Sequence, residues 1–240
     1  MKICKTDKIL LIAPHPDDEV IACGGYLAKY SNQIDVLCVN SSGVKYSGSV
    51  LSAEEIAEIR CQEFNLVMTK LGIKKYFITK IWGKPPMIDK IKENYNNYLS
   101  QFDYSQYDII LVPHKHDAHI EHRFVGNILL KNLLKKSGYK PTLKIMRYEL
   151  WSPILEPNYY EDITEYINVK KDLIDFYKSR SRSYYFERIS GLNKYRSLSS
   201  FFHNPEKYVE AFRVESVYEY LGIRNYAKIF SSILLIKTYI

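Results

Sequence analysis

A regular alternation of short apolar runs and helical segments over the first 150 residues limits the fold of this chain most strongly. The apolar runs at 8–13, 34–39 and 108–113 have the length of buried strands, and segments of helical length separate them. Strands that alternate with helices favour a mostly parallel sheet with helices on both faces. The sequence therefore predicts a Rossmann-like α/β fold.

The expected elements have well-marked ends. The best-marked helix begins with a capping box formed by Ser52 and Glu55 and ends at Gly72. After residue 158 the pattern changes to helices rich in tyrosine and arginine. We therefore expect a Rossmann-like core over 1–150 and a helical extension over 151–240 that packs on it, facing the substrate or another subunit. The expected strands are 8–13, 34–39, 76–79, 108–113 and 143–150, and the expected helices are 17–30, 52–72, 87–102 and 121–136.

The charge of the chain narrows the range of partners. The formal net charge is +7 and the isoelectric point is near 9.0, but the lysines are scattered and form no basic run. Scattered charge is typical of solvated helix faces, so we expect a small-molecule substrate and no nucleic-acid partner. The net positive charge would also favour a phosphorylated or acidic glycan as the substrate.

The cysteines and the chain ends indicate a cytoplasmic protein. The four cysteines are far apart and include no C-x-x-C pair, so neither a zinc ribbon nor a disulfide framework is expected. The first apolar run is too short for a secretory signal, and the apolar last twelve residues, 229–240, are too short to span a bilayer. That segment suits a docking helix, a contact in a homo-oligomer or an anchor on a membrane surface.

The first unusual cluster is P-H-P-D-D-E at 14–19, directly after the apolar run 8–13. His15 and Asp18 are three residues apart across a strand-to-helix turn, so their side chains can converge on one ion. Asp17 points elsewhere and suits a general base that takes a proton from metal-activated water. The competing interpretation is a helix start capped by Asp17 or Asp18, which accounts for one acid but not for the whole cluster.

A second cluster follows the apolar run 108–113, where four histidines fall within the nine positions 114–122. In open parallel sheets, ligands bind beyond the carboxyl ends of the strands, and these two strands are neighbours in the common doubly wound orders. One histidine from this cluster would complete a catalytic zinc site of two histidines and one carboxylate. Asp117 could orient a metal ligand or the end of a helix. We assign no role to His114 and His116.

These motifs together resemble the zinc-dependent PIG-L/LmbE-like de-N-acetylase family. P-H-P-D-D-E is followed by H-x-[DE]-H and R-x-x-G over 119–126. Further similarity lies in R-x-x-E at 60–63, Y-E-L-W-S-P at 148–153, the Asp162-Ile163 pair and E-A-F at 210–212. The resemblance covers most of the chain to about residue 213. It implies removal of acetyl groups from sugars of the N-acetylglucosamine type.

The resemblance also implies individual roles. It makes His15, Asp18 and His122 the ligands of Zn²⁺ and Asp17 the general base. His119 would stabilise or protonate the oxyanion, held in place by Glu121, whose charge should favour the imidazolium form of His119. Glu121 stands where the family usually has aspartate, so this support is one methylene longer. Arg60 is similar to the family's substrate-binding arginine, and its alternative is a surface ion pair with Glu63.

The predicted reaction is attack of metal-activated water on the acetamide without a covalent intermediate, because the chain lacks a G-x-S-x-G nucleophile motif. Two alternatives stay open at this stage. A metal-dependent phosphoesterase would bring more carboxylates and two metals. A nucleotide-binding or sugar-binding module without catalysis would leave the acidic cluster unexplained, and the chain lacks G-x-G-x-x-G.

Overall fold

The computed structural model describes residues 2–43, 50–79, 88–135, 138–179, 184–199 and 203–222 of the 240-residue chain. These residues form one seven-stranded sheet with helices on both faces. The apolar segment 229–240, for which the sequence suggested docking or subunit contact, lies outside the described residues. The strands are β1 (Ile9–Ala13), β2 (Ile34–Cys38), β3 (Tyr76–Ile78), β4 (Ile109–Pro113), β5 (Lys144–Tyr148), β6 (Tyr159–Asp162) and β7 (Val209–Ser216).

The sheet has the strand order β3-β2-β1-β4-β5-β7-β6. Neighbouring strands from β3 to β5 are parallel, whereas β7 is antiparallel to both β5 and β6. The predicted fold class, a mostly parallel Rossmann-like sheet, is confirmed. Strands β1 and β4 are direct neighbours, with Ile9 paired to Ile109, so the turns that follow these two strands lie side by side.

The helices also follow the sequence prediction over the first 150 residues. Every expected strand and helix of that region is present, with ends within two residues of the expected bounds. The Ser52 capping box with Glu55 is formed, and Gly72 ends the helix in the left-handed conformation at φ 69°. The helices are α1 (Asp18–Tyr30), α2 (Ala53–Leu71), α3 (Ile88–Gln101), α4 (Ile120–Lys135), α5 (Ile167–Asp175), α6 (Tyr184–Ser199) and α7 (Val217–Tyr220).

The core lies on both faces of the sheet because the strands are buried on both sides. Ile9 and Leu11 of β1 pack with apolar side chains of α1, α2 and α5. Leu10 and Ile12 of the same strand pack on the opposite face with side chains of α3 and α4. Continuous apolar runs of this kind are expected for parallel strands that are covered by helices on both faces.

The C-terminal part differs from the prediction, which gave helices alone after residue 158. It contributes α5 and α6 but also β6 and β7, and β7 extends the main sheet beyond β5. Charged residues interrupt the apolar pattern of β7, which hid this strand in the sequence. Glu210 of β7 is 2% exposed, so its burial has a specific cause in the packing.

That cause is a break in helix α1. Cys23 has non-helical backbone angles, φ −124° and ψ 21°, so the regular ladder of backbone hydrogen bonds is interrupted there. The N–H groups of Gly25 and Tyr26 donate instead to the carboxylate of Glu210, at 3.0 and 2.8 Å. The Nζ of Lys170 lies 2.7 Å from the same carboxylate. A buried ion pair from the C-terminal part thus supports the helix that carries the first acidic cluster.

Candidate active site

The two clusters of the sequence meet at the carboxyl ends of β1 and β4. The first cluster follows β1 and leads into α1, and the second follows β4 and leads into α4. Because the two strands are adjacent and parallel, their turns open at the same edge of the sheet. The convergence that the sequence predicted is therefore present.

The side chains of His15, Asp18 and His122 form the centre of the site. Oδ2 of Asp18 lies 3.0 Å from Nδ1 of His15 and 3.1 Å from Nε2 of His122. Asp18 and His122 are almost fully buried, with exposed fractions of 2% and 1%. Two atoms that bind one metal ion at about 2 Å from it lie about 3 Å apart, so this spacing fits a shared ion.

A second carboxylate faces the far nitrogen of each of these histidines. Oε2 of Glu121 lies 2.9 Å from Nε2 of His15, and Oδ1 of Asp117 lies 3.1 Å from Nδ1 of His122. Histidines that bind metals commonly place their other nitrogen against a carboxylate or a carbonyl. Asp117 also accepts the backbone N–H of His119 at 2.8 Å, so it orients both a histidine and the start of α4.

His119 completes a group of three histidines. The ligand atoms of His15, His119 and His122 all lie within 4.8 Å of one another, so these three histidines can also share an ion. His119 is exposed, whereas His15 and His122 are buried. Nε2 of His122, which faces Asp18, is buried and makes no aligned hydrogen bond, so it is free to bind a cation. The residues present therefore fit a metal ion.

Electrostatics also favour a cation at the centre. Burial alone would lower the pKa of His122, but the carboxylates of Asp18 and Asp117 raise it to about 10. Burial alone would raise the pKa of Asp18, but His122 and His15 hold it well below its usual range. The pKa of His15 is raised because Asp18 and Glu121 outweigh its burial. The charge that these groups attract can be a proton or a metal ion, which compete for the same nitrogens.

Asp17 has an unusual backbone conformation. Its φ of 104° lies in the left-handed region, which a non-glycine residue adopts at a cost of about 1–3 kcal/mol. Asp17 occupies the position before α1, yet its side chain makes no capping hydrogen bond. The interpretation of Asp17 as a helix cap is therefore wrong. Its carboxylate lines the cavity and contacts Arg60 at 3.2 Å.

Arg60 reaches this position from α2. It is 2% exposed, and its guanidinium donates to the backbone carbonyl of Pro16 and to Oδ1 of Asp17. Glu63, the partner in the alternative interpretation, instead accepts the backbone N–H of Ser179 at 2.8 Å. The alternative of a surface ion pair with Glu63 is thus wrong. Arg60 lines the same cavity as Asp17, so it can contact a ligand there.

Glu121 is placed differently from the expectation. The sequence led us to expect a contact with His119, but Oε2 of Glu121 contacts His15, the hydroxyl of Tyr95 at 2.5 Å and the side-chain amide of Asn40 at 3.1 Å. Burial alone would raise the pKa of Glu121, but His15 and Tyr95 lower it to about 2.

The pKa shift of His119 runs in the opposite direction to the one that an imidazolium would need. Burial and the neighbouring rings of His15 and His122 lower the pKa of His119, and the charges of Glu121 and Asp18 oppose this shift without reversing it. This shift favours the neutral imidazole of His119 over the imidazolium. As a neutral imidazole it can donate one N–H and accept one proton.

Glu19 is a buried residue whose importance the sequence did not reveal. It is fully buried, accepts the hydroxyl of Tyr177, and accepts the backbone N–H of Asp17 at 3.1 Å. Burial raises its pKa to about 8, even though the Tyr177 hydroxyl opposes the shift. Glu19 thus fixes the strained backbone of Asp17 from inside the core. Its place at the end of the acidic run was the only signal in the sequence.

The site opens into a cavity of about 260 Å³. Two aromatic side chains, Trp151 and Tyr185, form one wall, with their ring centroids 5.6 Å apart. Both come from the region after residue 150, where the sequence did not distinguish one tyrosine from another.

His114 and His116 line a separate cavity of about 360 Å³. The other lining residues of the site cavity are His15, Asp17, Asp18, Ser42, Arg60, His119, Glu121 and His122.

The fold and the site together define an α/β enzyme with a candidate metal centre at the carboxyl ends of its parallel strands. A family model described as PIG-L: GlcNAc-PI de-N-acetylase matches residues 10–133, which is just over half of the 240-residue chain. The match includes both clusters of the site. The chain belongs to the PIG-L family, and it is accordingly a deacetylase that hydrolyses an amide.

Solved structures share the fold at low sequence identity. N,N'-diacetylchitobiose deacetylase from Pyrococcus horikoshii, complexed with its inhibitor MPG, is 22% identical with a TM-score of 0.72, over 89% of this chain and 85% of that chain. The zinc-inhibited form of teicoplanin deacetylase Orf2 is 14% identical with a TM-score of 0.58, over 87% and 98%. The hydratase GalB from Pseudomonas putida KT2440 is 15% identical with a TM-score of 0.65, over 86% and 95%. The fold alone therefore does not determine the reaction.

Among the residues that the structure describes, no helix is both long enough and apolar enough to cross a bilayer.

Proposed function

We propose that this protein is a zinc-dependent hydrolase that removes the N-acetyl group from an N-acetylglucosamine-type amino sugar or a conjugate of one. The observation that carries the proposal is the position of Asp18, whose Oδ2 lies about equally far from the nitrogens of His15 and His122. Histidine and carboxylate are the ligands of catalytic zinc, and a three-ligand set leaves a position for water. We therefore assign His15, Asp18 and His122 as the metal ligands.

Zinc at this position would lower the pKa of a water molecule and polarise the acetamide carbonyl. Asp17 accepts a proton from the attacking water, and the oxygen of that water adds to the carbonyl carbon. The contact with Arg60 holds the carboxylate of Asp17 at the wall of the cavity. We therefore propose that Arg60 positions Asp17, the general base. Arg60 can also contact hydroxyl or phosphate groups of the substrate.

His119 stabilises the oxygen that becomes negative during attack. Its neutral imidazole donates an N–H to this oxyanion, a contact that typically contributes about 3 kcal/mol to lowering the barrier. The C–N bond then breaks, and the amine takes the proton that Asp17 accepted from the water. Acetate and a free amino sugar leave, so all atoms of the added water are accounted for.

The aromatic wall supports a sugar as the substrate. Trp151 is 43% exposed and Tyr185 is half-buried, so both rings present apolar surface to the cavity. Aromatic rings are amphipathic contact surfaces that suit the apolar face of a pyranose. The region after residue 150, which we expected to face the substrate, supplies both rings. We propose that they contact the acetylated sugar or the group next to it.

The compartment and the partners are part of the same proposal. Cys4, Cys23 and Cys38 are free thiols, and the last two are buried, which supports a reducing, cytoplasmic environment. Association with a second copy through the apolar residues 229–240 stays a proposal from the sequence.

A substrate screen tests the function. Purified enzyme would be incubated with N-acetylated amino sugars, free and as conjugates, and acetate release measured with and without a chelator. We expect acetate from at least one N-acetylglucosamine derivative, abolished by the chelator. Phosphate release from sugar phosphates would favour the phosphoesterase, and binding without product would favour the binding module. Either result without acetate release contradicts the proposal.

A further inference from the structure

Three elements converge on the carboxylate of Glu121. Its Oε2 accepts the hydroxyl of Tyr95 from α3 at 2.5 Å and the amide of Asn40, which follows β2, at 3.1 Å. The same oxygen lies 2.9 Å from Nε2 of His15, which follows β1. Tyr95 is fully buried and Asn40 is 3% exposed, so the position of the carboxylate is fixed by the core.

The contact with His15 determines which nitrogen of its imidazole carries the proton. A neutral imidazole has one N–H donor and one lone pair, and the carboxylate of Glu121 can only accept. The proton of His15 must therefore reside on Nε2 for this hydrogen bond to form. The lone pair is left on Nδ1, which faces Oδ2 of Asp18 at 3.0 Å. The two atoms can approach this closely when a second proton on the ring or a metal ion lies between them.

His122 has a similar neighbourhood on the other side of Asp18. Asp117 lies 3.1 Å from Nδ1 of His122, and Oδ2 of Asp18 lies 3.1 Å from Nε2. Neither of these two contacts is an aligned hydrogen bond, whereas Glu121 makes a hydrogen bond to His15. Glu121 and Asp117 thus each lie behind a histidine that faces the same oxygen of Asp18, and the contact of Glu121 is the better aligned one.

We propose that Glu121 is a positioning residue that keeps the proton of His15 on Nε2 and so prepares Nδ1 for the metal beside Asp18. Glu121 therefore positions the metal ligand His15 and does not position His119. The length of the side chain matters, because an aspartate at 121 would be shorter by one C–C bond, about 1.5 Å, and would lose the contact with His15. This inference rests on the proposed metal-dependent function and extends it to the residue that tunes the metal site.

The test measures metal affinity, without substrate. Zn²⁺ binding to metal-free protein would be measured by competition with a chromogenic chelator for wild type, Glu121→Gln, Glu121→Asp and Tyr95→Phe. Loss of a carboxylate behind a ligating histidine typically weakens metal affinity about 10- to 100-fold. We expect this loss for both Glu121 variants. Tyr95→Phe should cost less, because Asn40 and His15 still hold the carboxylate.

Glu93→Gln is the matched control, since Glu93 is exposed on α3 and the substitution removes the same charge. It should bind Zn²⁺ as wild type does. Thermal unfolding of the metal-free proteins checks that each variant is folded. Imidazole ¹⁵N NMR gives a second readout: in Glu121→Asp, which loses the acceptor behind His15, the Nε2–H tautomer of His15 should lose population, while His122 keeps its tautomer.

Glu121→Asp separates this proposal from support of His119. If Glu121 served His119, the aspartate variant would bind Zn²⁺ normally, and that result would overturn the proposal. Normal affinity in Glu121→Gln, or a wild-type protein that binds no Zn²⁺, would overturn it as well. Because no substrate is used, weakened metal binding without any acetate release would preserve this inference and reject the proposed function.

Discussion

The guanidinium of Arg60 and the carboxylate of Asp17 lie 3.2 Å apart in the wall of the site cavity. Arg60 comes from the middle of α2, and Asp17 precedes α1, so two helices define the position of this acid. The backbone of Asp17 is held at φ 104° by the same environment. A strained acid that is paired with a buried arginine suits a base that must remain ionised and fixed.

We predict that Asp17→Asn retains the metal but loses turnover. Asparagine has a similar shape but cannot accept the proton of the attacking water, and general-base contributions are typically about 10²- to 10⁴-fold. The fall should be in kcat, measured as acetate release, while bound zinc per chain stays unchanged. Asp103→Asn, at an exposed turn, is the matched control. Turnover near the wild-type rate would reject the role of Asp17.

The aromatic wall gives a prediction for substrate binding. Trp151→Ala should raise KM for the sugar about two- to tenfold, since an aromatic contact contributes about 0.5–1.5 kcal/mol. Trp151→Phe should restore most of the affinity. Tyr195→Ala removes another exposed aromatic ring of α6 that does not line the cavity, so it should leave KM unchanged. Equal effects of the two alanine variants would contradict the assignment.

Glu19 predicts how stability depends on pH. The pKa of Glu19 is about 8 in the folded protein and ordinarily 4.5, so the folded state holds a proton that the unfolded state releases between these values. This contribution to stability is complete below pH 4.5 and is lost as the pH rises to about 8. Over this range the free energy of unfolding should fall by at most about 1.4 kcal/mol per pH unit.

Glu19→Gln should remove this dependence because glutamine stays neutral. The free energy of unfolding in denaturant would be measured from pH 5 to pH 9, and its slope compared with that of wild type. The exposed Glu93→Gln should follow the wild-type slope. The comparison concerns slopes, so a constant offset in the stability of Glu19→Gln does not affect it. An unchanged slope in that variant would refute the burial argument.

The buried pair of Lys170 and Glu210 predicts a large loss of stability on substitution. Glu210→Gln leaves the ammonium of Lys170 buried without a counter-charge, which typically costs about 3–5 kcal/mol. The exposed pair of Lys171 and Asp175 on the same helix is the control, because Asp175→Asn should cost less than about 1 kcal/mol. Denaturant unfolding measures both, and similar values for the two variants would contradict the proposed support of α1.

Local signals made much of the fold predictable. The first five strands and four helices follow from apolar runs, the capping box and a glycine stop, which are all read within a few residues. The meeting of His15 with His122 was predictable because the carboxyl ends of neighbouring parallel strands share one edge. Strand β7 was not predictable, because a glutamate such as Glu210 is usually a surface residue. Its burial is explained only by its contacts with α1 and Lys170.

The supporting residues of the site could not be inferred because their partners are far away in the sequence. Tyr95 of α3 and Asn40, which follows β2, both contact Glu121, and no local sequence pattern predicts either contact. The direction of Glu121 depends on this pocket and not on its neighbour His119. Trp151 and Tyr185 come together only when the segment after residue 150 has folded over the strand ends.

Reconstitution with zinc tests the central claim most directly. Metal-free enzyme would be titrated with Zn²⁺, and acetate release from an N-acetylglucosamine derivative that the screen identifies would be followed. We predict no release without metal and a rise to a plateau at one equivalent per chain, with no rise in His122→Ala. Full acetate release by the metal-free protein, or a plateau at two equivalents, would contradict a single ion held by His15, Asp18 and His122.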